Sequence, residues 1–195
     1  MSAYKYIRNA WKNPKENLNE IWKERLVQWR KEPATVRISH PTRLDKARSL
    51  GYKAKQGIIL VRQRLNRSKR MRDFDVSGRR PKTFRHRRIS AMNYQFIAEQ
   101  RASKKYINCE VLNSYYAGED GMHFWFEIIL LDKNHPAVLA DKRYSWISGQ
   151  KGRAFRGLTT AGRRTRGLMN KGKGAEKFRP SKNAVYMRKA RKQYG

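Results

Sequence analysis

The chain has 195 residues, with 47 Lys and Arg against 15 Asp and Glu, a formal net charge of +32. A free polypeptide so imbalanced repels itself, so the expected partner is a polyanion whose condensed counterions are released on binding. Hydrophobic residues at 38% suffice for one core, a single cysteine excludes an internal disulfide, and no apolar run approaches the roughly 20 residues a membrane span needs.

The opening residues, Met1-Ser2-Ala3-Tyr4-Lys5-Tyr6-Ile7, lack an apolar run followed by a small-residue cleavage site, so a cytosolic protein without a secretory signal is expected. Asn13 as N-cap, Pro14 at the first helical position and Glu16 reaching back predict a helix that runs to about Glu32 and stops at Pro33. Leu18, Ile21, Trp22, Leu26 and Trp29 share one stripe of it, which assigns the two tryptophans to a core rather than to base stacking. An extended piece follows at Thr35 to Ile38, then His40 to Arg48 reads as a turn into a short helix that Gly51 ends.

Ile58 to about Leu65 reads as a strand, apolar first and then Arg62-Gln63-Arg64, so that it carries a basic loop outward from the core. Ser90 is expected to cap a helix reaching about Lys105, with Ile89, Met92 and Phe96 on one face. Ile107 to Tyr116 reads as a strand, Gly118-Glu119-Asp120-Gly121 as a hairpin turn, and Phe124 to Leu131 as its partner strand. The pattern predicts an α+β body over residues 1–149, a small, mostly antiparallel sheet with packed helices and a protruding loop at 67–88. Residues 150–195 form a basic extension punctuated by glycines, with short helices at 159–166 and 181–192 that a partner would order.

Charge separates these parts. Residues 107–149 hold 3 basic and 6 acidic side chains, residues 67–88 hold 10 and 2, and residues 150–195 hold 15 and 1. Segments so basic cannot bury enough apolar surface to fold alone, and nucleic-acid binding accounts for them better than a merely solvated face.

Signs of catalysis are weak. Gly167 to Gly174 resembles a phosphate loop, but Gly174 stands where magnesium would need Ser or Thr, and no buried strand precedes it. His40, His86, His123 and His135 lack metal-ligand spacing, Cys109 reads as an ordinary thiol, and Glu119-Asp120 serve the turn they sit in. Asn66-Arg67-Ser68 is a chance glycosylation match. No cofactor, metal or small-molecule substrate is expected.

Arginine suits phosphate because its planar fork donates two hydrogen bonds and can also stack on a base. The loop offers Arg67, Lys69, Arg70, Arg72, Arg79, Arg80, Lys82, Arg85, His86, Arg87 and Arg88, with Phe74 and Phe84 as stacking groups and Gly78 permitting a tight turn. The extension offers Lys151, Arg153, Lys171 and Lys173. Recognition helices, zinc-finger spacing, basic zippers and RNP-type aromatic motifs are absent, which points to threading through folded RNA rather than groove readout.

Several segments carry a resemblance: Ala3-Tyr4-Lys5-Tyr6-Ile7, Pro41-Thr42-Arg43, Asp45-Lys46-Ala47-Arg48, Gly51 to Gly57, Val111 to Tyr115, Gly118-Glu119-Asp120, Phe126 to Leu130 and Arg156-Gly157-Leu158-Thr159-Thr160-Ala161-Gly162-Arg163. They resemble the archaeal and eukaryotic large-subunit ribosomal protein family numbered fifteen, in family order over nearly the whole chain. The short length and the lack of a His-rich end favour its archaeal branch.

The resemblance implies a non-enzymatic scaffold in the cytoplasmic ribosome, buried in large-subunit ribosomal RNA beside neighbouring ribosomal proteins and not a homo-oligomer. It implies RNA contact for Arg43, Lys46, Arg48, Tyr52, Lys53, Lys55 and Gln56, and for Arg156, Arg163, Arg164 and Arg166. The 67–88 loop and the end from Lys171 match the family in character only. Two competing readings, an architectural DNA binder and an RNA-modifying enzyme, lack apolar wedges in the first case and a nucleophile, metal cluster or cofactor loop in the second.

Overall fold

The longest apolar run becomes the centre of the sheet. Strand β4 (His123–Asp132) lies between β2 (Ile58–Asn66) and β3 (Cys109–Glu119), and β1 (Thr35–Ile38) pairs with the outer side of β2, every pairing being antiparallel. The computed structural model describes residues 3–68, 78 and 92–194.

Both faces of the sheet are covered, so β4 is apolar at consecutive positions instead of alternating. On one face Phe126, Ile128 and Leu130 join Val61, Leu65 and Val111 beneath helix α5 (Tyr94–Lys105). On the other, Trp125, Ile129 and Leu131 lead into three successive clusters, under α3 (Asn19–Lys31), under α4 (Leu44–Ser49), and under α6 (Pro136–Leu139) with the 3-10 turn Ser145–Ile147. Each fully buried Ile, Leu or Val in this core contributes about 1.5–3 kcal/mol relative to exposure.

The tryptophans of α3 belong to the core. Trp11, Trp22, Trp29 and Trp125 form a chain of ring contacts with centroids 5.7, 6.0 and 5.6 Å apart, the first two edge-to-face. Gly118 lies beneath them at a β-bulge of β3, where a Cβ would stand 2.5 Å from the Trp22 ring. Its role is therefore close approach, and the hairpin turn falls one step later. There the Asp120 carboxylate accepts from the backbone N–H groups of Met122 and His123.

Three local expectations are revised. The single helix predicted from Pro14 is two, α2 (Pro14–Asn17) and α3, broken at Leu18 and at Asn19, whose φ is 26°. Asn13 caps no backbone N–H and instead donates to Glu16. The break has a tertiary cause: Asn17 Nδ2 donates to the carbonyls of Asn9 and Ala10, tying α2 back to an unanticipated helix α1 (Ala3–Ala10), while Leu18 packs into the tryptophan cluster. Helix α5 is capped by Asn93, whose side chain accepts from Phe96 N at 2.7 Å; Ser90 and Ile89 lie outside the described residues.

The basic extension also has structure of its own. Residues 151–159 bury Ala154 in the core under α5, before α7 (Thr160–Thr165) packs on α5 and β3. Helix α8 (Lys182–Tyr194) follows.

Candidate nucleic-acid interface

The first basic motif wraps α4. Asp45 and Ala47 are buried and Lys46 and Arg48 exposed, with the Arg48 guanidinium 5.9 Å from the ring centroid of Tyr4. Gly51, at φ 98°, ends the helix in a conformation L side chains rarely adopt. Its carbonyl accepts from the Tyr144 hydroxyl. Lys53 and Lys55 then flank Asp141 at 3.9 and 3.4 Å, and Gln56 is exposed. The N–H of Arg143, with Lys55 and Lys53, holds the Asp141 carboxyl below the usual range.

Two residues of this motif sit deeper than the rest. Tyr52 is buried against Ala47, Leu60 and Ile129. Arg43 keeps only 13% of its side chain exposed, placed 3.6 Å from the Asp45 carboxylate and 5.0 Å from the Trp11 ring centroid.

The segment before α4 is fastened to the sheet. Thr42 donates from both its hydroxyl and its backbone N–H to Glu127, which is 0% exposed. Glu127 also accepts from the Tyr115 hydroxyl and lies 3.8 Å from Arg62, which reaches Glu32 through Nη2 and stacks 4.7 Å over Trp29. Burial pushes the Glu127 carboxyl up against the pull of these donors.

The second basic motif is fastened in a related way. Thr159 caps α7 by accepting from Gly162 N, and its hydroxyl donates to Glu99 of α5, which also accepts from Ser114. Burial pushes Glu99 up to about 7, against the two hydroxyl bonds and the nearby Arg153 charge. Gly157 and Gly162 meet backbone to backbone; a Cβ on Gly162 would stand 2.5 Å from Gly157 Cα, so the spacing Gly157-Leu158-Thr159-Thr160-Ala161-Gly162 has a steric reason.

With α7 set, Arg163 and Arg164 are exposed, Arg166 is half-buried with Nη1 toward the Gly157 carbonyl, and Lys151, Arg156, Lys171 and Lys173 are exposed. Arg153 turns the other way. It is 9% exposed, its backbone N–H donates to Glu110, and its guanidinium donates to the carbonyls of Val111 and Leu112. Arg67, at the exposed end of β2, donates to the Asp120 carbonyl and stacks 4.7 Å over Phe124. Lys69, Arg70, Arg72, Arg79, Arg80, Lys82, Arg85, His86, Arg87 and Arg88 lie outside the described residues, as do Phe74 and Phe84. Gly78 is described at φ 76° with nothing within 4 Å of a Cβ position.

Among the described residues no group of His, Cys, Asp and Glu is placed to hold a metal, and no helix is long and apolar enough to cross a membrane. The sequence profile of the ribosomal L15 family matches residues 2–185. The chain belongs to the ribosomal L15 family. Two relatives named large ribosomal subunit protein eL15 are 52% and 50% identical. The first, from Methanocella arvoryzae, aligns over 94% of this chain and 95% of its own length; the second, from Methanocorpusculum labreanum, over 92% and 94%.

The ribosomal L15 match thus covers the two basic motifs and the intervening loop alike. Arg179, within the matched residues, and Arg188, just beyond them, are not among the candidates read from the sequence: with Arg163 they line a cavity of about 610 Å³ beside α8. Their signal in the sequence was only the basic density that runs past residue 174.

Proposed function

We propose that this chain binds and stabilises folded large-subunit ribosomal RNA through two body-anchored basic motifs, the 67–88 loop and the 150–195 extension, and thereby supports subunit assembly. As a member of the ribosomal L15 family it is a structural constituent of the large ribosomal subunit, works within the cytoplasmic ribosome, and is not an enzyme. Neighbouring ribosomal proteins are its further partners, and it is not a homo-oligomer.

The observation that carries the RNA reading is the orientation of charge. Lys46, Arg48, Arg156, Arg163 and Arg164 are exposed, whereas the acids within or beneath their segments, Asp45 of α4, Glu99 of α5, Glu110 of β3 and Glu127 of β4, are buried. Cations fixed on an outer surface while their counter-charges point inward suit a polyanion that surrounds the protein.

The test is the salt dependence of binding to large-subunit ribosomal RNA. Replacing Arg79, Arg80, Arg87 and Arg88 together by Ala should weaken binding and reduce the salt slope by about four phosphate contacts at most. An unchanged slope would remove the loop from the interface, and migration with chromatin rather than with large subunits in a gradient would favour the DNA reading.

A further inference from the structure

Trp146 is the exposed exception among the tryptophans. Trp22, Trp29 and Trp125 are 4% exposed or less, whereas Trp146 is 47% exposed, in the 3-10 turn Ser145–Ile147. It is nevertheless held firmly. Its Nε1 donates to the Arg143 carbonyl at 2.8 Å, so the indole has no polar demand left, and the Arg153 guanidinium lies 4.6 Å from the ring centroid. Arg153 is itself pinned to the Val111 and Leu112 carbonyls, and the next residue in the turn, Ile147, is fully buried.

The surroundings select the chemistry of what covers this ring. Residues 142–156 carry five basic side chains, Lys142, Arg143, Lys151, Arg153 and Arg156, and no acidic one. Four of the five are exposed, and Arg156 bonds to the Lys151 carbonyl and to Gln150, whose own N–H bonds to the Ile147 carbonyl. A held aromatic face on so basic a segment matches an unpaired nucleotide, the ring taking the base and the neighbouring cations its phosphates. A protein partner for so basic a rim would have to be strongly acidic.

We propose that Trp146, backed by Arg153, is a stacking platform for an unpaired base of the ribosomal RNA. The inference rests on the RNA-binding reading above and adds a site of a different kind, since stacking uses no phosphate contact. Arg153 is a positioning residue here: it sets the indole and does not reach the RNA.

The test compares Trp146→Ala, Trp146→Leu and Trp146→Phe in the full chain, binding deproteinised large-subunit ribosomal RNA from Methanocella arvoryzae over a range of salt. Loss of one stacked base should weaken binding about 5- to 150-fold in the Ala and Leu variants. The salt slope should not change, and Phe should restore most of the affinity. Leu fills the space without a π-face, so the Leu and Phe pair separates stacking from packing even where Ala disturbs the fold. Wild-type affinity in the Leu variant, with wild-type protein showing normal salt-dependent binding, would overturn the platform and leave the RNA reading standing. Equal losses in Leu and Phe would overturn it in favour of packing. Absence of binding by the wild-type chain would overturn both.

Discussion

The two basic helices, α4 and α7, sit on opposite faces of one sheet and are fastened alike, yet the surroundings of their anchors differ. In each, a threonine just ahead of the helix gives its hydroxyl to a buried glutamate: Thr42 to Glu127, Thr159 to Glu99. Glu127 has an arginine beside it, Arg62 at 3.8 Å, bound in turn to Glu32. Among the described residues Glu99 receives side-chain hydrogen bonds from the hydroxyls of Ser114 and Thr159 alone, while Arg153 acts on it through space. A buried acid in contact with an arginine cannot be removed without stranding that cation, whereas one held by hydroxyls can take up a proton and become neutral. The same fastening thus has an arginine within reach on one face and hydroxyls on the other, while burial raises both carboxyls.

The strongest way to break this contrast is Glu127→Ala, which leaves Arg62 buried beside Trp29 with one acid fewer. A loss of about 3–5 kcal/mol is expected in urea unfolding. A loss under about 1 kcal/mol would mean that Glu32 alone compensates Arg62 and that the two faces do not differ.

Next comes pH. Glu99 titrates near 4.5 when unfolded and at about 7 when folded, so between these values the folded chain binds more protons. Its contribution is complete below about pH 4.5 and is lost as pH rises through about 7, on the order of 3 kcal/mol in all. Glu99→Gln should flatten that part of the stability profile and make the protein relatively more stable at pH 8. An unaltered profile would place the titration elsewhere.

The smallest effect sharpens the comparison of the threonines themselves. Thr159→Val removes both a donor to Glu99 and the N-cap of α7, an expected loss of about 1–3 kcal/mol. Thr42→Val should cost less, about 1 kcal/mol, because its backbone N–H and Tyr115 still serve Glu127. The double variant should be additive, since the sites share no partner.

The contrast also marks what the sequence could convey. The strands and the burial of Trp22 and Trp29 were legible from residue type and periodicity, although Ile21, read on the same stripe, is exposed, and the outward basic residues of α4 and α7 follow from residue type. The break at Leu18 was not: it depends on Asn17 reaching the end of α1, a contact with no local trace. Arg153 and Arg156 stand three residues apart in the same basic context, yet one is buried and one exposed. What separates them is Glu110 with the Val111 and Leu112 carbonyls, about forty positions earlier in the chain. Tyr52 likewise sits inside a basic motif but packs as core, because Gly51 turns the chain back toward the sheet.

The Gly157 and Gly162 contact has a consequence for geometry. With no side chain between the two backbones, their separation does not depend on a rotamer of either residue. Arg156 and Arg163, each adjacent to one of these glycines, are therefore mounted on a ruler of fixed length. Drift in the surrounding core can alter how firmly the ruler is held, but not the backbone interval between these two arginines.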